Sequence, residues 1–371
     1  MIKFITAGES HGKGIIAVIE GMPAHLRLGE EDINEELKRR QMGYGRGARM
    51  KIELDRAEIL SGVRKGETIG SPIAVAVWNR DWHNKPMSPV FVPRPGHADL
   101  AGALKYSQQD IRNVWERASA RETAGRVAAG AVAKKLLGEF GIEILSHVVG
   151  IGCISIDTTG IRLELLKKQI KSSDSSPVRC INKEAALEMI RQIDEARAKG
   201  DTLGGMFEII ALGVPAGLGT YVQWDARLDK KLAGALMSIP GIRGVEIGLG
   251  FESAGMKGSE VHDGIVFHKG RFVRKSNNAG GIEGGISNGE PIVLRAAMKP
   301  IPSLAKPLWS VNLKTKKTAK APALRADVCA VPAAGVVGEA MAAIELASAM
   351  TDRFGGDTLQ EMKNSRRRRN I

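Results

Sequence analysis

Ser119-Ala120-Arg121-Glu122-Thr123-Ala124-Gly125-Arg126-Val127-Ala128-Ala129-Gly130-Ala131-Val132-Ala133-Lys134-Lys135-Leu136-Leu137-Gly138 is the stretch on which the architecture turns. It opens on Ser-x-x-Glu, the pattern of a capping box, and stops at Gly138 and Gly141. In between, Ala124, Val127, Ala128, Ala131 and Leu136 recur at helical spacing, with small residues over much of the remaining surface. A helix that is apolar almost all round keeps no face for water and belongs between two layers. The expectation is an α+β chain, a β-α-β sandwich with its helices inside, rather than a doubly wound parallel sheet.

Outward from that helix the two halves of the chain repeat each other in order. Gly21-Met22-Pro23-Ala24-His25-Leu26 matches Gly213-Val214-Pro215-Ala216-Gly217-Leu218. Ser61-Gly62 through Gly70-Ser71-Pro72-Ile73 matches Gly280-Gly281 through Gly289-Glu290-Pro291-Ile292, and Ala128–Val132 matches Ala333–Val337. The chain therefore reads as one domain over 1–371, with an internal pseudo-twofold duplication of about 1–150 and 200–350 joined by residues near 150–200. The runs Ile15–Ile19, Met50–Leu54, Ile73–Trp78 and Phe207–Ala211 read as strands. Ile33 and Leu37 mark a helix, with Glu35→Arg39 and Glu36→Arg40 as pairs one turn apart.

At 371 residues the chain is long enough for two or three domains or one large duplicated one. Net charge is +13, yet aromatic residues are only 4%, too few for a surface that stacks bases. Cys153, Cys180 and Cys329 are odd in number and widely spaced, which excludes a disulfide framework and argues against a metal site. The N-terminus has no signal-peptide layout, and no apolar run approaches the roughly 18 residues of a membrane span. A cytoplasmic protein is expected, without membrane or nucleic-acid partner. The segment 362–371, with Arg366–Arg369, reads as a basic, disordered tail.

Six loop segments could carry chemistry. Gly8-Glu9-Ser10-His11-Gly12-Lys13-Gly14 fits Gly-x-Ser-x-Gly, but a β-branched run follows where a hydrolase elbow needs a helix. It also lacks the spacing of a phosphate loop. A tight turn presenting a hydroxyl and an imidazole remains, either a polar hairpin or a functional loop. Arg39-Arg40-Gln41 through Gly45-Arg46-Gly47-Ala48-Arg49 sets four arginines among glycines with nothing acidic inside the segment. It is a solvated basic loop or an anion site, and guanidinium forks match phosphate and carboxylate. In Arg94-Pro95-Gly96-His97-Ala98-Asp99 a stiff loop offers His97 with Asp99 as a possible ring partner. Arg117-Ala118-Ser119-Ala120-Arg121 puts two arginines at a helix start. The glycine-rich Gly280–Gly289 lets backbone lie along a ring or a phosphate. Lys299-Pro300-Ile301-Pro302-Ser303 and Arg325-Ala326-Asp327 are rigid turns with cations and a carboxylate. Together they suit a small polyanion.

These blocks, in this order over residues 8 to about 340, resemble the chorismate synthase family. The resemblance implies helices between antiparallel sheets, a homotetramer, and conversion of 5-enolpyruvylshikimate-3-phosphate to chorismate and phosphate. That reaction is a redox-neutral 1,4-elimination requiring reduced FMN, at the end of the shikimate pathway. It implies His11, His97 and Asp327 as proton-handling groups, with Ser10 and Ser119 in their network. Arg40, Arg46, Arg49, Arg94, Arg121 and Arg325 would clamp the substrate. Flavin contacts would come from Arg117, Ala118, Ser119, Glu260, Val261, Gly284, Lys299, Pro300, Ile301, Pro302, Ser303 and Arg325. Arg40 and Arg46 would also meet NADPH, acting only as reductant of the flavin, unless a separate flavin reductase supplies it. No metal is implied. Ala118, Leu249 and Ala326 depart from residues common in the family and alter polarity around the site. A nucleic-acid-binding protein and a net-hydride-transferring flavin oxidoreductase are the competing classes.

Overall fold

A computed structural model describes residues 1–47, 54–80, 82, 88–324 and 327–368, the side chain of Arg271 apart. Arg49, Arg325 and Ala326, and most of the strand expected over Met50–Leu54, lie outside the described residues; Leu54 itself is exposed and in no strand.

Two antiparallel sheets form where the β-branched runs fall. Strands β1 (Lys3–Gly8), β2 (Gly14–Glu20), β3 (Ala57–Ser61) and β4 (Ile73–Trp78) make a four-stranded sheet in the order β1-β2-β4-β3. Strands β5 (Glu143–Ile151), β6 (Ile154–Ser155), β7 (Gly205–Leu212), β8 (Ile242–Ile247) and β9 (Ile292–Met298) make a second, in the order β8-β9-β7-β5-β6. Helices are α1 (Glu30–Gln41), α2 (Asp99–Lys105), α3 (Arg112–Ala118), α4 (Thr123–Gly138), α5 (Leu163–Ser173), α6 (Lys183–Ala198), α7 (Leu228–Met237), α8 (Val331–Phe354) and α9 (Leu359–Arg368).

The quoted alanine-rich segment becomes α4, which packs on β1, β2 and β4, while α8 packs on β5 and β7 and the two helices run along each other. Small residues permit that approach: a Cβ on Gly130 would lie 2.2 Å from the Cβ of Ala340. By length and composition α8 could cross a membrane, but 94% of its apolar window is buried inside the protein, so it is a core helix. Glu339, fully buried in α8, accepts from Arg39 at 2.7 and 2.9 Å, from Arg179 at 3.1 Å, and from Lys134 and Ser146. Burial alone would raise its carboxyl; the charges of Lys134, Arg39 and Arg179 hold it well below the usual range.

The matched sequence blocks make matched bonds. Thr68 Oγ1 donates to the Pro23 carbonyl (2.6 Å) and accepts from Leu26 N (3.0 Å). Ser287 Oγ donates to the Pro215 carbonyl (2.6 Å) and accepts from Leu218 N (2.8 Å). Gly21 and Gly213, at φ +82° and +73°, turn the chain after β2 and β7, where a Cβ would meet backbone oxygen at 2.5 and 2.3 Å.

Three local expectations are corrected. Ser119 caps a one-turn 3-10 helix (Ala120–Glu122) through Arg121 N, and Glu122 turns to Thr6 Oγ1 and Arg126 instead of closing a capping box, so α4 starts at Thr123. Arg39 pairs with Glu36, not Glu35, and Arg40 pairs with Asp55, because burial against α4 and α8 draws both off the helix surface. Residues 362–368 are helical within α9, not disordered: Leu359 and Met362 are buried and Arg366 donates to the Phe140 carbonyl at 2.6 Å.

Candidate active site

The loop Glu9–Lys13 between β1 and β2 is gripped from two sides. Asn79, just past β4, donates Nδ2 hydrogens to the carbonyls of Glu9 (3.1 Å), Ser10 (3.3 Å) and Gly12 (2.8 Å), and its Oδ1 accepts from Arg121 Nε (2.7 Å). From α3, the Glu116 carbonyl accepts from Ser10 N at 2.9 Å. The Glu116 carboxylate accepts from His11 N at 2.7 Å and meets His11 Nδ1 at 2.9 Å. Ser10 Oγ lies 3.1 Å from Ser119 Oγ, and Arg117 donates to the carbonyl and hydroxyl of Thr6 at 2.9 and 2.7 Å.

Beneath this loop three arginines converge. Arg40 donates through Nε to Thr123 Oγ1 (3.1 Å) and lies 3.4 Å from Asp55, whose other oxygen pairs with Arg121. Arg46 Nε is 3.1 Å from Asp327, which also accepts from Gly47 N at 2.6 Å. Burial, with the like charges of Arg121 and Arg46 behind it and Asp55 opposing, lowers Arg40 to about 10. Acids from outside the segment reach these arginines: Glu339 meets Arg39, Asp55 meets Arg40 and Asp327 meets Arg46. Among the described residues, Arg40, Arg46 and Arg121 meet the carboxylates of Asp55 and Asp327.

The His97 loop forms a second group. Asp99, fully buried, accepts from Arg94 N (2.9 Å), Arg94 Nε (2.8 Å) and the His97 ring. Burial alone would raise its carboxyl; the bonds from His97 and Arg94 hold it well below the usual carboxylate range. Arg94 also donates to Ser303 Oγ (2.8 Å), approaches His97 Nδ1 (3.0 Å), and lies 4.5 Å over the Trp115 ring of α3. Arg94 therefore braces its own loop from inside. Lys299 donates to the Gly96 carbonyl, which brings the 299–303 turn onto the same loop.

The remaining residues expected at a flavin are split. Lys299 follows β9 beside Gly241, whereas Glu260 and Val261, in a one-turn helix (Gly258–Val261), and Gly284, in a turn, lie at the other end of the β8–β9 pair. Six residues of strand put those ends about 20 Å apart. Asn278 donates to the carbonyls of Glu260 (3.2 Å) and Val261 (2.9 Å), and Asp263 accepts from Asn278 N (2.8 Å) and Ala279 N (2.9 Å). A Cβ on Gly284, at φ +58°, would meet nothing within 4 Å, so its backbone lies open to a flat ligand.

With this geometry in view, comparison with known proteins is direct. The family model described as chorismate synthase matches residues 2–351. The chain belongs to the chorismate synthase family. It is 54% identical to the chorismate synthase of Syntrophotalea carbinolica over 98% of this chain and 96% of that one. It is 56% identical to that of Moorella thermoacetica, over 97% and 96%. A solved structure titled "Crystal Structure of Chorismate Synthase" superposes with a TM-score of 0.84 at 48% identity, covering 99% of this chain and 97% of the other. The chain is accordingly grouped with carbon–oxygen lyases that eliminate phosphate, in the shikimate pathway.

Within this chorismate synthase framework, Asp55, Asn79, Thr123 and Glu116 are the residues that sequence reasoning passed over. Only Asp55 left a trace, as a carboxylate soon after an arginine-rich loop. Asn79 and Glu116 stand in no motif, and only the closure of the sheet and the placing of α3 give them partners. Among the described residues no cluster of three or more His, Cys, Asp or Glu could hold a metal.

Proposed function

We propose that the chain converts 5-enolpyruvylshikimate-3-phosphate to chorismate and inorganic phosphate by redox-neutral 1,4-elimination with reduced FMN, at the last common step of its pathway. The observation carrying this reading is the convergence of Arg40, Arg46 and Arg121 in one group, where burial and the like charges of Arg121 and Arg46, with Asp55 opposing, lower Arg40 to about 10. A departing phosphate gains charge as it leaves, so fixed guanidiniums stabilise the transition state without reorganising. Arg49 and Arg325 join this clamp as proposals from the family resemblance.

His97, held by Asp99, donates a proton to the leaving phosphate oxygen. With a flavin bound, His11 would hold a proton toward it, with Ser10 and Ser119 in its network, and Asp327 would assist its proton handling. The residues fit a flavin on one observation: the exposed Gly284 backbone, where a Cβ would meet nothing within 4 Å. When bound, reduced FMN supplies the reversible electron donation that an unactivated C–H bond requires. The family resemblance assigns its contacts to Arg117, Ala118, Ser119, Glu260, Val261, Gly284 and residues 299–303, which a single chain divides between the two ends of the β8–β9 pair, and NADPH, at Arg40 and Arg46, would serve only to reduce it. A cytoplasmic homotetramer completes the proposal. The like order of β1-β2-β4-β3 and β5-β7-β9-β8, with α4 and α8 between, supports a duplicated sandwich.

Anaerobic incubation with chemically reduced FMN and the enolpyruvyl substrate is expected to release chorismate and phosphate over many turnovers without consuming NADPH. Stoichiometric NADPH oxidation would instead indicate net hydride transfer, and absence of product would end the assignment.

A further inference from the structure

Two imidazoles reach the site, and each presents Nδ1 to a carboxylate: His97 to Asp99 and His11 to Glu116. Asp99 sits two residues from its histidine, whereas Glu116 comes from α3, more than a hundred residues along the chain from His11. We propose that Glu116 is a positioning residue for His11, fixing the ring with its hydrogen on Nδ1 so that proton exchange runs through Nε2. The proposal rests on the reading of His11 as a proton donor given above.

The geometry separates this role from simple loop fastening. Ser10 N already donates to the Glu116 carbonyl, and Asn79 already holds three carbonyls of the loop. The side chain adds something else. Its Oε2 takes the His11 amide hydrogen at 2.7 Å, which turns Oε1 onto the ring nitrogen at 2.9 Å. A carboxylate offers acceptors only, so Nδ1 must carry the hydrogen. A glutamine has one acceptor oxygen for two donors and would set an N–H against the other. A carboxylate so placed also returns the ring in one tautomer after a proton leaves it.

The test combines Glu116→Gln and Glu116→Ala with His11→Ala and uses two readouts. In flavin-free protein labelled with 15N-histidine, the neutral His11 ring of the wild type is expected to show a protonated Nδ1 and a lone pair on Nε2. Both Glu116 variants are expected to show a tautomer mixture. With reduced FMN and the enolpyruvyl substrate, Glu116→Gln is expected to lower kcat about tenfold or more with KM within about twofold, as loss of a tautomer-fixing carboxylate does. In the His11→Ala background, Glu116→Ala should change turnover by less than about twofold, since coupled residues are not additive. An unaltered tautomer in Glu116→Gln, or equal losses in both backgrounds, would overturn the proposal. A wild type without turnover would remove the proposed reaction, and the ring nitrogen spectra would still decide the role of Glu116.

Discussion

Several candidate site side chains are held by a partner remote in sequence. Arg46 leans on Asp327, Arg121 on Asp55 and Asn79, and His11 on Glu116. His11→Ala and His97→Ala are expected to fold, retain flavin and lose about 10²-fold or more in turnover, as removal of a general acid does. Near wild-type rates in steady-state assays would take that histidine out of the mechanism. Arg46→Ala should weaken substrate binding in a titration while flavin affinity changes less, and unaltered substrate affinity would count against the clamp. The histidines and arginines were legible because glycine and proline loops frame them. Asp99 was legible as the partner of His97 two residues away, but Asp55 and Glu116 were not, since nothing local ties residue 55 to residue 121 or residue 116 to residue 11.

Secondary structure was legible where one side chain pattern had one meaning. Alternation gave β4 its bounds at Ile73 and Trp78, and the apolar Ala/Gly pattern ended α4 at Gly138. The start of α4 was misplaced because Ser119 and Glu122 have better partners in Arg121 N and Thr6 than in each other. The contact of α4 with α8 gives a sharp test. Glycine to alanine inside a helix ordinarily gains about 1 kcal/mol. At Gly130 the new methyl would stand 2.2 Å from Ala340 Cβ and 2.5 Å from its Cα, with helix backbone behind them. Overpacking of that kind costs about 1–3 kcal/mol and wins. Gly130→Ala should therefore lower stability in denaturant unfolding, whereas Gly138→Ala, where a Cβ meets nothing within 4 Å, should raise it. A stabilised Gly130→Ala would mean that the two helices part readily.

Across the whole molecule, buried charge ties the layers together. Glu339 joins α1, α4, α8, β5 and Arg179, and Glu339→Gln removes one carboxylate from three cations that keep Glu36 or Asp174, a loss of about 3 kcal/mol or less near neutrality. Because the folded state depresses this carboxyl, its contribution is complete above the ordinary carboxylate pKa and fades as acid is added. The stability gap between wild type and variant should thus narrow by about 1.4 kcal/mol for each pH unit below that value, and a gap constant between pH 6 and pH 3 would contradict it. The short helix α3 acts over a similar span. Trp115 and Glu116 are neighbours on it, yet one lies under the guanidinium that braces His97 and the other holds the ring of His11. The helix is in effect a yoke: a small molecule wedged beneath that indole would unseat both imidazoles with one push, without touching either ring.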